Sequence, residues 1–138
     1  FIFLKMILTA KARYAVMAII ELASNKNTCP ITLSQIAKKQ DISLFYLEQI
    51  FAKLKKSNLV QSIKGPKGGY LLNKNPQEIS IATIIKAIGE PIKMTRCTTS
   101  SKACDSLSSK TKCKTHHLWQ GLENKIYDYL DSISLQDL

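Results

Sequence analysis

Arginine is scarce in this 138-residue chain, with two residues against eighteen lysines. Acids are scarce too, ten against twenty bases, and aromatic residues make up only 7%. No segment approaches the roughly 20 consecutive apolar residues that a bilayer-spanning helix needs, which excludes a helical membrane span. The phosphate-loop pattern G-x-x-x-x-G-K-[ST] is missing, as are an H-E-x-x-H zinc motif and a dinucleotide fingerprint. No Ser/His/Asp set stands out and no C-x-C pair is present, so the expectation is a protein that is not an enzyme. There is no internal repeat. The apolar segment Phe1 to Lys5 is far too short for a signal peptide and is expected to lie upstream of the native start at Met6. A cytoplasmic protein is the resulting expectation, and in that reducing setting cysteines favour metals over structural disulfides.

What is present is unevenly distributed. Residues 1–75 hold twelve Lys or Arg against three acids, whereas residues 76–138 hold eight against seven. A preference for lysine explains the choice of base but not this asymmetry. A basic half joined to a nearly neutral half suits a polyanion binder. In the neutral half, Cys97, Cys104 and Cys113 are followed by His116, the last two as a compact C-x-x-H. The surrounding stretch is rich in Ser, Thr and Lys and poor in large apolar residues, so it lacks the carbon to organise itself by burial. A metal centre is the natural organiser, with these four residues as candidate ligands. Thiolates with one imidazole suit zinc, copper(I) or an iron–sulfur cluster, and spacing alone does not separate them. His117 is expected to be a solvent or supporting residue, and Cys29, remote from the others, a buried inert thiol.

The fold class read from the pattern is mostly α with a small β-hairpin. Thr9 is placed to cap a helix from Ala10 to about Ser24, with Tyr14, Ala15, Ala18, Ile19 and Leu22 inward. Thr32 and Gln35 form a capping box that opens a short helix to about Lys39, with Leu33, Ile36 and Ala37 inward. A turn at Gln40 to Ile42 and a cap at Ser43 lead to a longer helix ending near Lys56, completing a helix-turn-helix. On that longer helix Leu44, Leu47, Phe51 and Leu54 are expected inward. Phe45, Tyr46, Gln49, Lys53 and Lys56 are expected outward with Glu48 on the flank, a face suited to the major groove. Leu59 to Lys64 and Tyr70 to Leu72 read as strands around a turn of Gly65, Pro66, Lys67, Gly68 and Gly69. Lys64 and Lys67 sit at the tip of this wing, where glycine lets the backbone approach a phosphate or a minor groove.

After a linker, Ser80 caps a helix with Ile81, Ile84, Ile85 and Ile88 inward, ending near Gly89. A final helix from about Thr115 to Ser132 carries Leu118, Trp119, Leu122, Ile126, Tyr129 and Leu130, followed by Ile133. That stripe is wide for a terminal helix. It docks on its own domain or pairs with a second copy, and two-fold readers of palindromic DNA favour the homodimer. The expected organisation is a winged helix-turn-helix over 6–75, a linker and connecting helix over 76–91, a ligand loop over 92–116 and a dimerisation helix over 115–135.

Several of these segments together resemble the IscR family of iron–sulfur cluster regulators, winged-helix transcription regulators. They are residues 6–16 (MILTAKARYAV), 42–49 (ISLFYLEQ) and 64–72 (KGPKGGYLL), then Thr95-Arg96-Cys97 and Cys113 to His116. The similarity runs from about Met6 to the C-terminus. The resemblance implies a [2Fe–2S] cluster on Cys97, Cys104, Cys113 and His116, received from the iron–sulfur assembly machinery. It also implies a recognition helix that reads a double-stranded DNA operator through Tyr46, Glu48 and Gln49, and control of cluster-assembly genes. A nitric-oxide sensor with a [4Fe–4S] cluster is the alternative within the family, and a zinc-stabilised, non-sensing DNA-binding protein is the alternative outside it. The N-terminal motif and His116 argue against the nitric-oxide sensor. Three features differ from the family pattern. Six residues separate Cys97 from Cys104 and eight separate Cys104 from Cys113, a longer and less Gly-rich loop. Lys64 stands where arginine is usual, losing the planar fork. Phe45 stands where a small polar residue is usual, so contact there turns apolar, for instance toward a thymine methyl.

Overall fold

The computed structural model describes residues 10–25, 29–90 and 114–138. Thr9 and the proposed ligands Cys97, Cys104 and Cys113 lie outside the described residues. The described part is mostly helical, with one two-stranded antiparallel hairpin, as expected.

Helix α1 (Ala10–Ala23) buries Ala12, Ala15, Ala18, Ile19 and Leu22. Small alanines on this stripe let neighbouring helices approach closely, and α1 packs against both α3 (Leu44–Lys56) and α4 (Ile81–Ala87). Helix α2 (Leu33–Gln40) begins with the predicted capping box. The Gln35 N–H donates to Thr32 Oγ1 at 3.2 Å, and the Thr32 N–H donates to Gln35 Oε1 at 3.0 Å. Two otherwise unpaired helix-start donors are thereby satisfied. Asp41 then turns left-handed at φ 53°, and the Ile42 N–H closes on the Ala37 carbonyl at 3.0 Å. A short polar side chain tolerates that conformation, so Asp41 ends α2 and redirects the chain into α3.

Strand β1 (Val60–Ile63) pairs with β2 (Gly69–Leu72) in the register Val60–Leu72, Gln61–Leu71, Ser62–Tyr70 and Ile63–Gly69. The hairpin is fastened to the body twice. Phe51 of α3 meets the Tyr70 ring edge-on, with centroids 4.9 Å apart. Ile31, just before α2, exchanges backbone hydrogen bonds with Tyr70 at 3.1 and 2.7 Å, acting as a one-residue third strand. That approach depends on glycine, since a Cβ at Gly69 would lie 2.6 Å from the Ile31 carbonyl. At the turn, a Cβ on Gly68 would lie 2.1 Å from the Ile63 carbonyl oxygen.

Helix α4 starts at Ser80, whose Oγ accepts from the Thr83 N–H at 3.1 Å. Helix α5 spans His116–Asp131. The tail beyond it is stitched to the start of α4: the Ile81 N–H donates to the Ile133 carbonyl at 2.9 Å, and the Leu135 N–H to the Ile79 carbonyl at 3.0 Å. Leu135 is buried, and Leu130 and Ile133 pack against the core. The C-terminal end of α5 is therefore anchored to the body that carries α3.

Two expectations are corrected. Cys29 is exposed, not buried, because it lies on the loop after α1, where its carbonyl accepts from the Asn25 amide at 2.7 Å. On α3 the buried stripe is Leu47, Ile50, Phe51 and Leu54, while Leu44 is 40% exposed. This set follows the i, i+3, i+4, i+7 spacing of a single helix face; Leu44, one turn before Leu47, lies at the edge of that face, and the packing of α3 leaves it to solvent.

Candidate nucleic-acid interface

The exposed side of α3 presents Phe45, Glu48, Gln49, Ala52, Lys55 and Lys56. Ala52 and Lys55 are not apparent from the sequence pattern, and the displaced Leu44 accounts for it. Moving the stripe onto Ile50 turns these positions outward. Ser43 occupies the start of α3 and is exposed, but its side chain makes no capping hydrogen bond. Its hydroxyl is thus not committed to the α3 backbone. Tyr46 is half-buried, held edge-on by Tyr14 of α1 with centroids 5.9 Å apart and planes at 86°. Its predicted outward position is therefore partial, with the ring braced against α1.

Lys53 is exposed, but its ammonium donates to the Ile88 carbonyl at 3.1 Å, at the end of α4. The close approach of Lys11 lowers the Lys53 pKa from its ordinary value, because two ammonium groups side by side repel, while Glu90 acts in the opposite direction. Lys53 thus ties the far end of α3 to α4, close to Glu90, where the described residues break off. Cations at helix C-termini stabilise the unpaired carbonyls there.

At the wing, Lys64, Gly65, Pro66 and Lys67 are all exposed. The turn is closed by the Gly68 N–H donating to the Gly65 carbonyl at 2.9 Å. Because Phe51 and Ile31 hold β2, two lysines project from a fixed hairpin rather than a loose loop. The recognition face and the wing belong to the same basic half of the chain.

Of the four proposed metal donors the structure describes His116, the first residue of α5, which is half-buried with its ring 5.7 Å from that of exposed His117. Among the described residues, no group of three or more His, Cys, Asp or Glu could hold a metal ion. No helix among them is long and apolar enough to cross a membrane.

A capped helix-turn-helix, an exposed polar and aromatic recognition face and a braced lysine-tipped hairpin define a winged-helix DNA-binding protein. The chain belongs to the Rrf2 family, described as iron-dependent transcriptional regulators, whose sequence profile matches residues 8–138. It is 43% identical over 131 residues to the HTH-type transcriptional regulator IscR of Pectobacterium atrosepticum, covering 95% of this chain and 77% of that one. Identity to IscR of Photorhabdus laumondii is also 43%, with the same coverage of both chains. Among solved structures, T. potens IscR superposes with a TM-score of 0.72 at 32% identity, covering 94% of this chain and 82% of that one. CymR, the global cysteine regulator of B. subtilis, superposes with a TM-score of 0.76 at 30% identity, covering 94% and 92%. The winged-helix reading holds, and the chain is a transcriptional regulator rather than an enzyme.

Proposed function

We propose that this regulator senses iron–sulfur status through a [2Fe–2S] cluster, acts as a homodimer on two-fold DNA operators in the cytoplasm, and controls cluster-assembly genes. Its cluster would come from the assembly machinery those genes encode. Similarity to IscR proteins supports the cluster. The donor chemistry fits as well: three soft thiolates and one imidazole suit a cluster, and they suit zinc too. Cys97, Cys104, Cys113 and His116 would hold the group, which supplies reversible occupancy and redox chemistry when bound.

The observation that carries the reading is the position of His116. It opens α5, whose own apolar face is uncovered: Leu118 is 62% exposed and Tyr129 66%, and Leu122 is exposed beside them. A second copy packed on that face would place two α3 helices about one two-fold axis. A donor at the start of α5 then joins the ligand loop to the dimer helix, while the anchored end of α5 joins that helix to the reading body. DNA affinity changes with occupancy only by the difference in the group's affinity for the two arrangements.

The test is the visible spectrum of anaerobically purified protein, with iron, sulfide and zinc counted. Coloured protein with about two irons and two sulfides per chain is expected. Colourless, zinc-bearing protein that resists iron reconstitution contradicts the sensing role, and about four of each points to the nitric-oxide-sensing alternative.

A further inference from the structure

We infer that Phe45 is a specificity-determining residue that reads the C5-methyl group of a thymine in the major groove. This rests on the DNA-reading role proposed above. Phe45 lies in the first turn of α3 and is 68% exposed, the most exposed large apolar side chain among the described residues. An aromatic ring left in water on a helix that already buries Leu47, Ile50, Phe51 and Leu54 adds nothing to the core of the chain. Its neighbour Tyr46 is braced by Tyr14, so the backbone that presents Phe45 is fixed. Charge decides the occupant. Lys55 and Lys56 of α3 and Lys64 and Lys67 of the wing are all exposed in the same basic half of the chain, which favours a polyanion over an apolar protein partner.

Residues at the start of a recognition helix reach the base edges. In the major groove those edges are donors and acceptors, except for one apolar group, the thymine methyl. Gln49 is exposed one helical turn after Phe45 and shares its face. An amide there pairs with adenine N6 and N7. Phe45 and Gln49 together thus select A·T pairs, on the same or adjacent steps of each half-site.

The experiment begins with duplexes enriched from a random pool by the anaerobically purified protein. Each thymine of the enriched site is then replaced singly by deoxyuridine, which deletes the methyl and leaves base pairing intact. At one position per half-site, affinity should fall about three- to fivefold, the worth of one buried methyl. The Phe45→Ser variant should bind the thymine and uridine duplexes equally, while Phe45→Leu should keep part of the preference. Indifference of the unmodified protein to every uridine overturns the inference, as does an unchanged uridine penalty in Phe45→Ser. Failure to enrich any duplex overturns the DNA-reading function itself, a distinct result.

Discussion

Helices α3 and α5 are both largely exposed along one side, and the chemistry of what they expose sets them apart. Helix α3 buries four large side chains and offers water an amide, a carboxylate, lysines and one aromatic ring. Helix α5 has sixteen residues, yet its buried residue is Glu123, while Leu118, Leu122, Tyr127 and Tyr129 are exposed. A polar outward face on a well-packed helix suits a hydrated, charged partner. An apolar outward face on a helix anchored at one end suits a partner that removes it from water. The same chain therefore exposes two surfaces of different chemistry.

The largest expected effect comes from α5. Replacing Leu118 and Leu122 together by Asp should turn a dimer into a monomer and lower affinity for a two-fold duplex by about 100-fold, because the second half-site no longer benefits from linkage. The monomer should keep its fold, since both side chains are exposed in the single chain, while the melting temperature falls only by the stabilisation that dimer association supplied. Sedimentation, duplex binding and melting curves together separate this outcome from simple unfolding. On the other surface, Lys64→Ala with Lys67→Ala should weaken all duplexes alike. The slope of log affinity against log salt should become shallower by about 0.9 for each phosphate that is no longer neutralised. An unchanged slope would show that the wing does not touch the backbone. A smaller and more selective effect is expected at Glu48. Its carboxylate repels phosphate yet accepts from a cytosine amine. Glu48→Ala should therefore narrow the gap between preferred and single-base-changed duplexes by about tenfold with little loss of total affinity. Equal weakening on every duplex would remove that role.

The contrast between the two helices also marks what the sequence made legible. Local chemistry was readable: the Thr32–Gln35 capping box, the Gly-rich wing turn, the Ser80 cap and the apolar stripe of α5 each depend on residues a few positions apart. Long-range placement was not. Leu44 and Ile50 are equally apolar, and only the direction of the core relative to α3 decides that Ile50 goes in. Tyr46 is half-buried because Tyr14, far earlier in the chain, stands beside it. The amine of Lys53 reads as a free cation until the Ile88 carbonyl is brought next to it by the packing of α3 on α4. Cys29 resembles any small core residue in sequence, and the loop that carries it leaves it exposed. Cys97, Cys104, Cys113 and His116 are a candidate donor set by residue type and spacing, and residues 91–113 lie outside the described part.

The donors ahead of α5 are proposed to govern the grip of α3 on DNA. The direct measurement is binding of one enriched two-fold duplex panel by cluster-loaded protein and by the same preparation after chelation, with dimer content checked in both. Affinity for at least one duplex should differ by about five- to 150-fold between the two forms, the usual range of coupling between linked sites. Identical affinities across the panel, with both forms dimeric, would contradict it.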